Sequence, residues 1–451
     1  MASYEDKDRY VVTGMGLVSP VGNDPETAWQ TMLRGEHGVE NVRDTLFAGY
    51  NSLPIHVAAP VKGFDLTNDP AFAGSKKEIR SKWDLAQQFI LWASAQALRQ
   101  AGLSSVEHIK AEDHGLDPER FGVYVGTGVG GVNHLADARA ILEDEKIQYE
   151  QAMMAGDLER MAELEEATRI NPKLILKSLP GRVAGTPSMV FGAKAFWEGV
   201  LKECASGNGA IISAIEAIKL GKADVVLAGG VEGDITPTTT GLFGAAHAVS
   251  RNRDPDSASR PFDAGRDGLI MGQGAGALVI ESMAHALGRN ASILAEIIGY
   301  AESADAKDET EPDPQNVAKS MHKALSMLDR PIHKLRGGAI NPHATSTPIG
   351  DRSEIKMIRA VFRPDQLVGI TAVKSYTGHT FGASGAIEAV ASIQELRDNA
   401  SPAVHNLERP IEEAEGYEHL MDGNEEEIEF VVNNSFGFGG NNAITIFGRP
   451  K

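Results

Sequence analysis

The sequence predicts an α/β protein with buried strands around one continuous core, and three observations carry that prediction. Short β-branched runs bounded by glycine alternate with helical stretches, no low-complexity linker divides the 451 residues, and one segment pattern recurs across the two halves. The strand runs include residues 10–13, 122–125, 225–227 and 430–432, with a helical stretch at 82–100. They are continuously apolar, as strands covered on both faces are. The recurrence pairs Ala205-Ser206-Gly207, which opens an apolar helix reaching to about Leu220, with Ala383-Ser384-Gly385, which opens a second from Ala386. Duplication explains this, as does chance similarity between small-residue helices. Residues 131–172 are polar and acidic with helix-forming composition and little strand character, a helical excursion on the surface.

Composition narrows the function. At 42% hydrophobic and 23% charged the chain is globular, long enough for two core-forming units or one duplicated fold. A formal charge of −19 opposes broad attraction to nucleic acid or anionic lipid, so an acidic partner must meet a local basic patch. The first ten residues are polar, and no run approaches the roughly 20 apolar residues that span a bilayer. A soluble, non-secreted, cytoplasmic protein is expected. The single cysteine, Cys204, excludes an intramolecular disulfide and a Cys-rich zinc site. It is either a small buried hydrophobe or a chemically used thiol.

Position favours use. Cys204 stands where a strand-like run passes into a helix, near the positive end of the helix dipole, which favours thiolate. Two histidines, His343 and His379, lie among small and hydroxylated residues, off any amphipathic stripe. They lack close i, i+4 spacing and a carboxylate cluster, so no metal site is expected. The run Asn433-Asn-Ser-Phe436-Gly-Phe438-Gly-Gly440 follows one apolar strand and precedes another. Such a turn brings backbone N–H groups close to a reacting carbonyl. It also suits phosphate, but lacks the Gly-Lys-Ser/Thr ending of a P-loop.

Taken in order, Cys204-Ala-Ser-Gly, His343-Ala-Thr-Ser-Thr-Pro, Lys374-Ser-Tyr-Thr-Gly-His379 and Asn434-Ser-Phe-Gly-Phe-Gly-Gly resemble the β-ketoacyl-acyl carrier protein synthases of the elongating type. Val12-Thr-Gly-Met-Gly, Gly126-Thr-Gly-Val-Gly-Gly and Ala228-Gly-Gly-Val-Glu extend the resemblance over nearly the whole chain. It implies a thiolase fold with duplicated βαβ-rich halves in five αβαβα layers, here residues 1–285, with a helical insertion near 132–172, and 286–451. It further implies a homodimer, acyl carrier protein as partner, and no cofactor, substrates being carried on phosphopantetheine. By resemblance Cys204 accepts the acyl chain, His343 and His379 activate the malonyl thioester, and Lys374 and Glu388 form a supporting charged pair. Phe438 becomes the acyl gate and an oxyanion N–H donor beside that of Cys204, with Phe436 next to it, while Thr345 and Thr347 hold the pantetheine arm. Lys76, Lys77, Arg80 and Lys82 fall where the family carries docking cations.

The implied reaction is decarboxylative condensation of a Cys-bound acyl chain with a malonyl carrier to give a 3-oxoacyl product. Departures from the family pattern include Lys202 and Glu203 before the cysteine, Pro342 before a histidine, and Gln273 in place of an acid. A carboxylate facing Cys204 would oppose thiolate, and strand alternation is expected to turn Glu203 away. Two rival readings remain. A coenzyme A-dependent thiolase usually carries a second cysteine, absent here, and a non-catalytic partner subunit typically lacks the nucleophile that this chain retains.

Overall fold

The computed structural model describes residues 8–50, 52–53, 55–74, 76–166, 170–233, 235–417, 419–424 and 426–451. The polar N-terminal residues 1–7 and residues 167–169 of the helical excursion lie outside them.

In the main sheet the first five strands are β1 (Tyr10–Val18), β2 (Phe121–Gly126), β3 (Phe196–Val200), β4 (Val225–Glu232) and β5 (Gly274–Ser282). The second five are β6 (Ala295–Ala304), β7 (Gly338–Asn341), β8 (Leu367–Ile370), β9 (Phe430–Gly437) and β10 (Asn441–Gly448). All ten join in one mixed sheet, ordered β8-β7-β9-β10-β6-β1-β5-β4-β2-β3. Outward from the centre, each set of five repeats the same order and the same sense. The first is antiparallel at β1–β5 and β5–β4, then parallel at β4–β2 and β2–β3. The second is antiparallel at β6–β10 and β10–β9, then parallel at β9–β7 and β7–β8. Between the two sets, β1 meets β6 over Tyr10↔Ile297 to Val12↔Ala295. The weak echo in the sequence is therefore a true repeat of topology.

Ten helices place the site: α1 (Lys76–Lys82), α2 (Leu85–Gln100), α3 (Val132–Ala155), α4 (Leu158–Glu166), α5 (Arg182–Phe191), α6 (Ser206–Lys219), α7 (Pro237–Ala245), α8 (Pro314–Leu325), α9 (Pro348–Val361) and α10 (Ser384–Asp398). The apolar helices α6 and α10 pack on each other and on strands of both sets, forming the middle layer. Glycines permit this. A Cβ on Gly207 would lie 2.8 Å from the Gly382 carbonyl oxygen, and one on Gly385 would lie 2.7 Å from the Asn208 nitrogen. Outside, α2 and α5 cover the first strands and α8 the second, with Ile355 and Ile358 of α9 in the same core as Ile340 and Ile370. The five layers of a thiolase fold follow.

One expectation needs adjustment. The helical stretch at 82–100 is two helices, because Asp84 caps a new one: its carboxylate accepts the Gln87 N–H at 2.7 Å and the Gln87 side chain accepts the Asp84 N–H at 3.0 Å. The polar excursion is helical as expected, in α3 and α4, and it leaves Met154 and Leu158 exposed.

Candidate active site

Between β3 and α6 the chain makes a tight turn, Glu203–Ala205, with Glu203 at φ +48° and Ser206 opening the helix. The Lys202 N–H donates to Ser206 Oγ at 2.8 Å, and that hydroxyl donates to the Glu203 carbonyl at 2.6 Å. This corner delivers the buried Cys204 thiol to the floor of a cavity of about 410 Å³. Glu203 is exposed while Cys204 is buried, and strand alternation is not the reason. The residue lies in the turn, and its carboxylate accepts the Asn441 side-chain N–H at 2.8 Å.

The second set of strands supplies a matching corner. Phe381–Ala383 turns with Phe381 at φ +42°, and Ser384 opens α10. Just before it, the His379 N–H donates to the Ile270 carbonyl at 2.6 Å. The ring is held at both nitrogens, Nδ1 at 3.0 Å from Ser384 Oγ and Nε2 at 3.0 Å from Cys204 Sγ. His343 follows β7, where the Glu354 carboxylate of α9 accepts the N–H groups of His343 and Ala344 at 2.7 Å each. The two imidazoles meet edge to face, centroids 5.3 Å apart. Behind them Lys374 and Glu388 form a fully buried ion pair.

Burial dominates the electrostatics. It pushes the Cys204 thiol up to about 12; Lys374 pulls the other way, while Glu232 and Glu203 add to the rise. Burial, then Lys374, holds His343 and His379 well below 6.5. At neutral pH the cysteine and its histidine are a neutral, hydrogen-bonded pair. The sequence-based expectation of a thiolate fails here, since a helix dipole contributes about 1–2 kcal/mol at best, roughly a tenfold effect, and desolvation outweighs it.

Thr345, Thr347, Phe436 and Phe438 line the same cavity as Cys204, His343 and His379. Phe438 is 39% exposed at the mouth. The threonine hydroxyls bond each other at 3.0 Å, and Thr347 precedes Pro348 at the start of α9. Gln273 is a structural tie, accepting the Val61 N–H at 2.9 Å and donating to the Gly233 carbonyl at 2.6 Å. Sequence reasoning missed Ser384, Glu354 and the aromatic wall of Phe243 and Phe381, whose rings lie 4.8 Å apart. Only Ser384 carried a signal, as part of the repeated triplet. The donor atoms of Cys204, His343 and His379 lie within 4.8 Å of one another, a clustering that sequence spacing cannot reveal when each comes from a different loop.

Family models decide what this arrangement belongs to. The model of the N-terminal domain of β-ketoacyl synthases matches residues 7–286, and that of the C-terminal domain matches residues 294–408. The chain is a β-ketoacyl synthase family member. Among similar curated proteins, a 3-oxoacyl-[acyl-carrier-protein] synthase 2 of Coxiella burnetii is 35% identical, over 98% of this chain and 99% of its own. One of the same name from Staphylococcus aureus is 33% identical, over 97% and 98%. A β-ketoacyl synthase crystal structure from Burkholderia phymatum superposes with a TM-score of 0.81 at 29% identity, covering 98% of this chain and all of that one. A type II PKS acyl-carrier protein in complex with its ketosynthase gives 0.79 at 25%, covering 98% and 99%.

On this β-ketoacyl synthase the basic cluster forms α1, with Lys76, Lys77, Arg80 and Lys82 exposed. Lys76 pairs with Asp65 at 2.6 Å and Lys82 lies 4.4 Å over the Trp83 ring. Among the described residues no carboxylate pairs with Lys77 or Arg80. Nor is any helix among them long and apolar enough to cross a membrane.

Proposed function

We propose that the chain condenses a Cys204-bound acyl group with malonyl-acyl carrier protein, releasing CO2 and forming 3-oxoacyl-acyl carrier protein in fatty acid or related polyketide synthesis. The observation that carries this is Cys204 Sγ set 3.0 Å from His379 Nε2, with His343 beside it at the floor of the cavity. On this reading Cys204 passes its proton toward His379 as it attacks the acyl thioester, and His379 hands that proton to the departing pantetheine sulfur, which leaves an acyl-Cys204 thioester and a neutral imidazole and splits one hard step into two easier ones. The N–H groups of Cys204 and Phe438 receive the oxyanion. His343 and His379, kept neutral, then donate to the malonyl thioester oxygen and stabilise the enolate left by loss of CO2. A neutral imidazole does this without quenching the carbanion. Lys374, locked to Glu388, keeps a positive field behind both rings. Thr345 and Thr347 hold the pantetheine arm, Phe438 gates the acyl chain, and Phe436 packs on His343 at 5.6 Å. No cofactor is called for, because carrier phosphopantetheine brings both substrates.

The same reading divides the chain at 285/286, locates the enzyme in the cytoplasm and makes it a homodimer. Support for the dimer comes from edge strand β3, which leaves Trp197 48% exposed beside an unpaired backbone edge. Intact-mass measurement with a panel of acyl-carrier thioesters tests the chemistry. An acyl adduct should form on wild type and be missing from a folded Cys204→Ala variant; an adduct on that variant ends the assignment. Docking of the acidic carrier on α1 has its own test. Lys77→Glu with Arg80→Glu should raise KM for carrier-borne acyl groups by roughly 3- to 30-fold and hardly alter KM for a small pantetheine thioester.

A further inference from the structure

Glu203 is an odd residue for its position. Its backbone sits at φ +48°, where side chains other than Gly, Asn and Asp are uncommon, and its carboxylate adds to the forces that keep the neighbouring thiol protonated. Something must offset both disadvantages. Across from it runs the turn Gly437–Gly440, which carries Phe438 to the cavity mouth and bends through Gly439 at φ +74° and Gly440 at φ +78°. The two turns touch. A Cβ on Gly437 would lie 2.5 Å from the Lys202 carbonyl oxygen and 3.3 Å from Glu203 Cβ. Asn441, the next residue after the bend, donates its side-chain N–H to Glu203 Oε2 at 2.8 Å. On its far side the bend is tied by Gly439 N–H to the Glu309 carbonyl at 2.7 Å and Asp305 N–H to the Gly440 carbonyl at 2.9 Å, with the Asn442 side-chain N–H donating to Asp305 Oδ1 at 2.7 Å just beyond it.

We propose that Glu203 is a positioning residue, a latch that holds the Phe438 turn against the nucleophile's own turn through Asn441 and so limits how readily bulky chains reach Cys204. The proposal rests on Phe438 standing in the chain's path. Glu203 acts through Asn441 and touches no reacting atom. Its charge and its hydrogen bond are separable, because glutamine keeps an acceptor for Asn441 and removes the charge. The other titratable and charged groups facing Cys204, namely Lys374, Glu232, His343 and His379, are unchanged in every variant.

The test uses the full-length enzyme and its one cysteine. Alkylation of Cys204 is followed by intact mass across pH with iodoacetamide and with a long-chain N-alkyl maleimide, after thermal melts establish that each variant is folded. Glu203→Gln should move both reaction profiles to lower pH and leave the ratio of bulky to small reagent as in wild type. Glu203→Ala should make the same pH shift and raise that ratio roughly two- to tenfold, the effect of losing one hydrogen bond. Asn441→Ala should raise the ratio with no pH shift. A wild-type ratio in both alanine variants overturns the latch, and so does a ratio raised equally in Glu203→Gln. Neither reagent needs a carrier protein or decarboxylation, so a failure here is distinct from a missing acyl adduct, which would overturn the proposed function itself.

Discussion

The corner that carries Cys204 and the corner that precedes α10 are the same piece of backbone used twice. Each turns through a non-glycine residue with positive φ, Glu203 at +48° and Phe381 at +42°, and enters a helix at a serine. Each serine hydroxyl accepts the N–H four residues earlier, Lys202 in one and Thr380 in the other, at 2.8 and 3.1 Å. In register, Cys204 corresponds to Gly382 and His379 to Leu201. One corner offers its turn residue to the cavity, whereas the other buries that residue against backbone and offers the side chain three positions earlier. A duplicated frame thus sets the Cys204 sulfur and the His379 ring at hydrogen-bonding distance from two corners that present different side chains.

Replacing the cavity-facing side chains should separate the two corners most strongly. His343→Ala should reduce CO2 release by about 10²–10³-fold while sparing acylation of Cys204, and His379→Ala should slow both steps, because only His379 touches the sulfur. Rapid-quench acylation beside CO2 assays would show it. Equal loss of both steps in His343→Ala breaks the division of labour.

Alanine at the register-equivalent positions gives the next largest contrast. Cys204→Ala should fold normally. Gly382→Ala would put a Cβ 2.2 Å from the Gly128 nitrogen and 2.4 Å from the Thr127 carbonyl carbon, and should cost about 2–4 kcal/mol, read as a lower midpoint in urea unfolding. An unchanged midpoint would mean that the corner is not closed as described. The serines give the smallest effect. Ser384→Ala should lower kcat roughly tenfold by freeing the His379 ring, whereas Ser206→Ala should cost about 1 kcal/mol of stability and little kcat.

Cys204, His343 and His379, which the fold brings together, could be picked out of the sequence because each stands in a polar, small-residue loop where a packing role is hard to find. Lys374 and Glu388 were legible only through family resemblance, since nothing in spacing says that residues fourteen apart share a buried ion pair. Glu354 left no trace at all. It reads as a charged helix residue, and only the fold reveals that both its oxygens hold the His343 loop. The protonation of Cys204 was misjudged for a related reason. A helix dipole is visible in a sequence, while the low-dielectric wall that outweighs it is assembled from Phe381, Phe243 and other residues far apart in the chain.

That neutral thiol bears on survival under oxidative stress. Peroxide and cellular electrophiles attack thiolate, so a cysteine held protonated and 7% exposed is a poor target between turnovers. Reactivity would be lent to the sulfur only while an acyl thioester occupies the cavity and His379 takes the proton. An enzyme with one cysteine and no resolving partner should therefore outlast millimolar peroxide at neutral pH and lose that resistance as the medium becomes alkaline. The growth of sulfinic acid on Cys204, followed by mass against pH, would measure it.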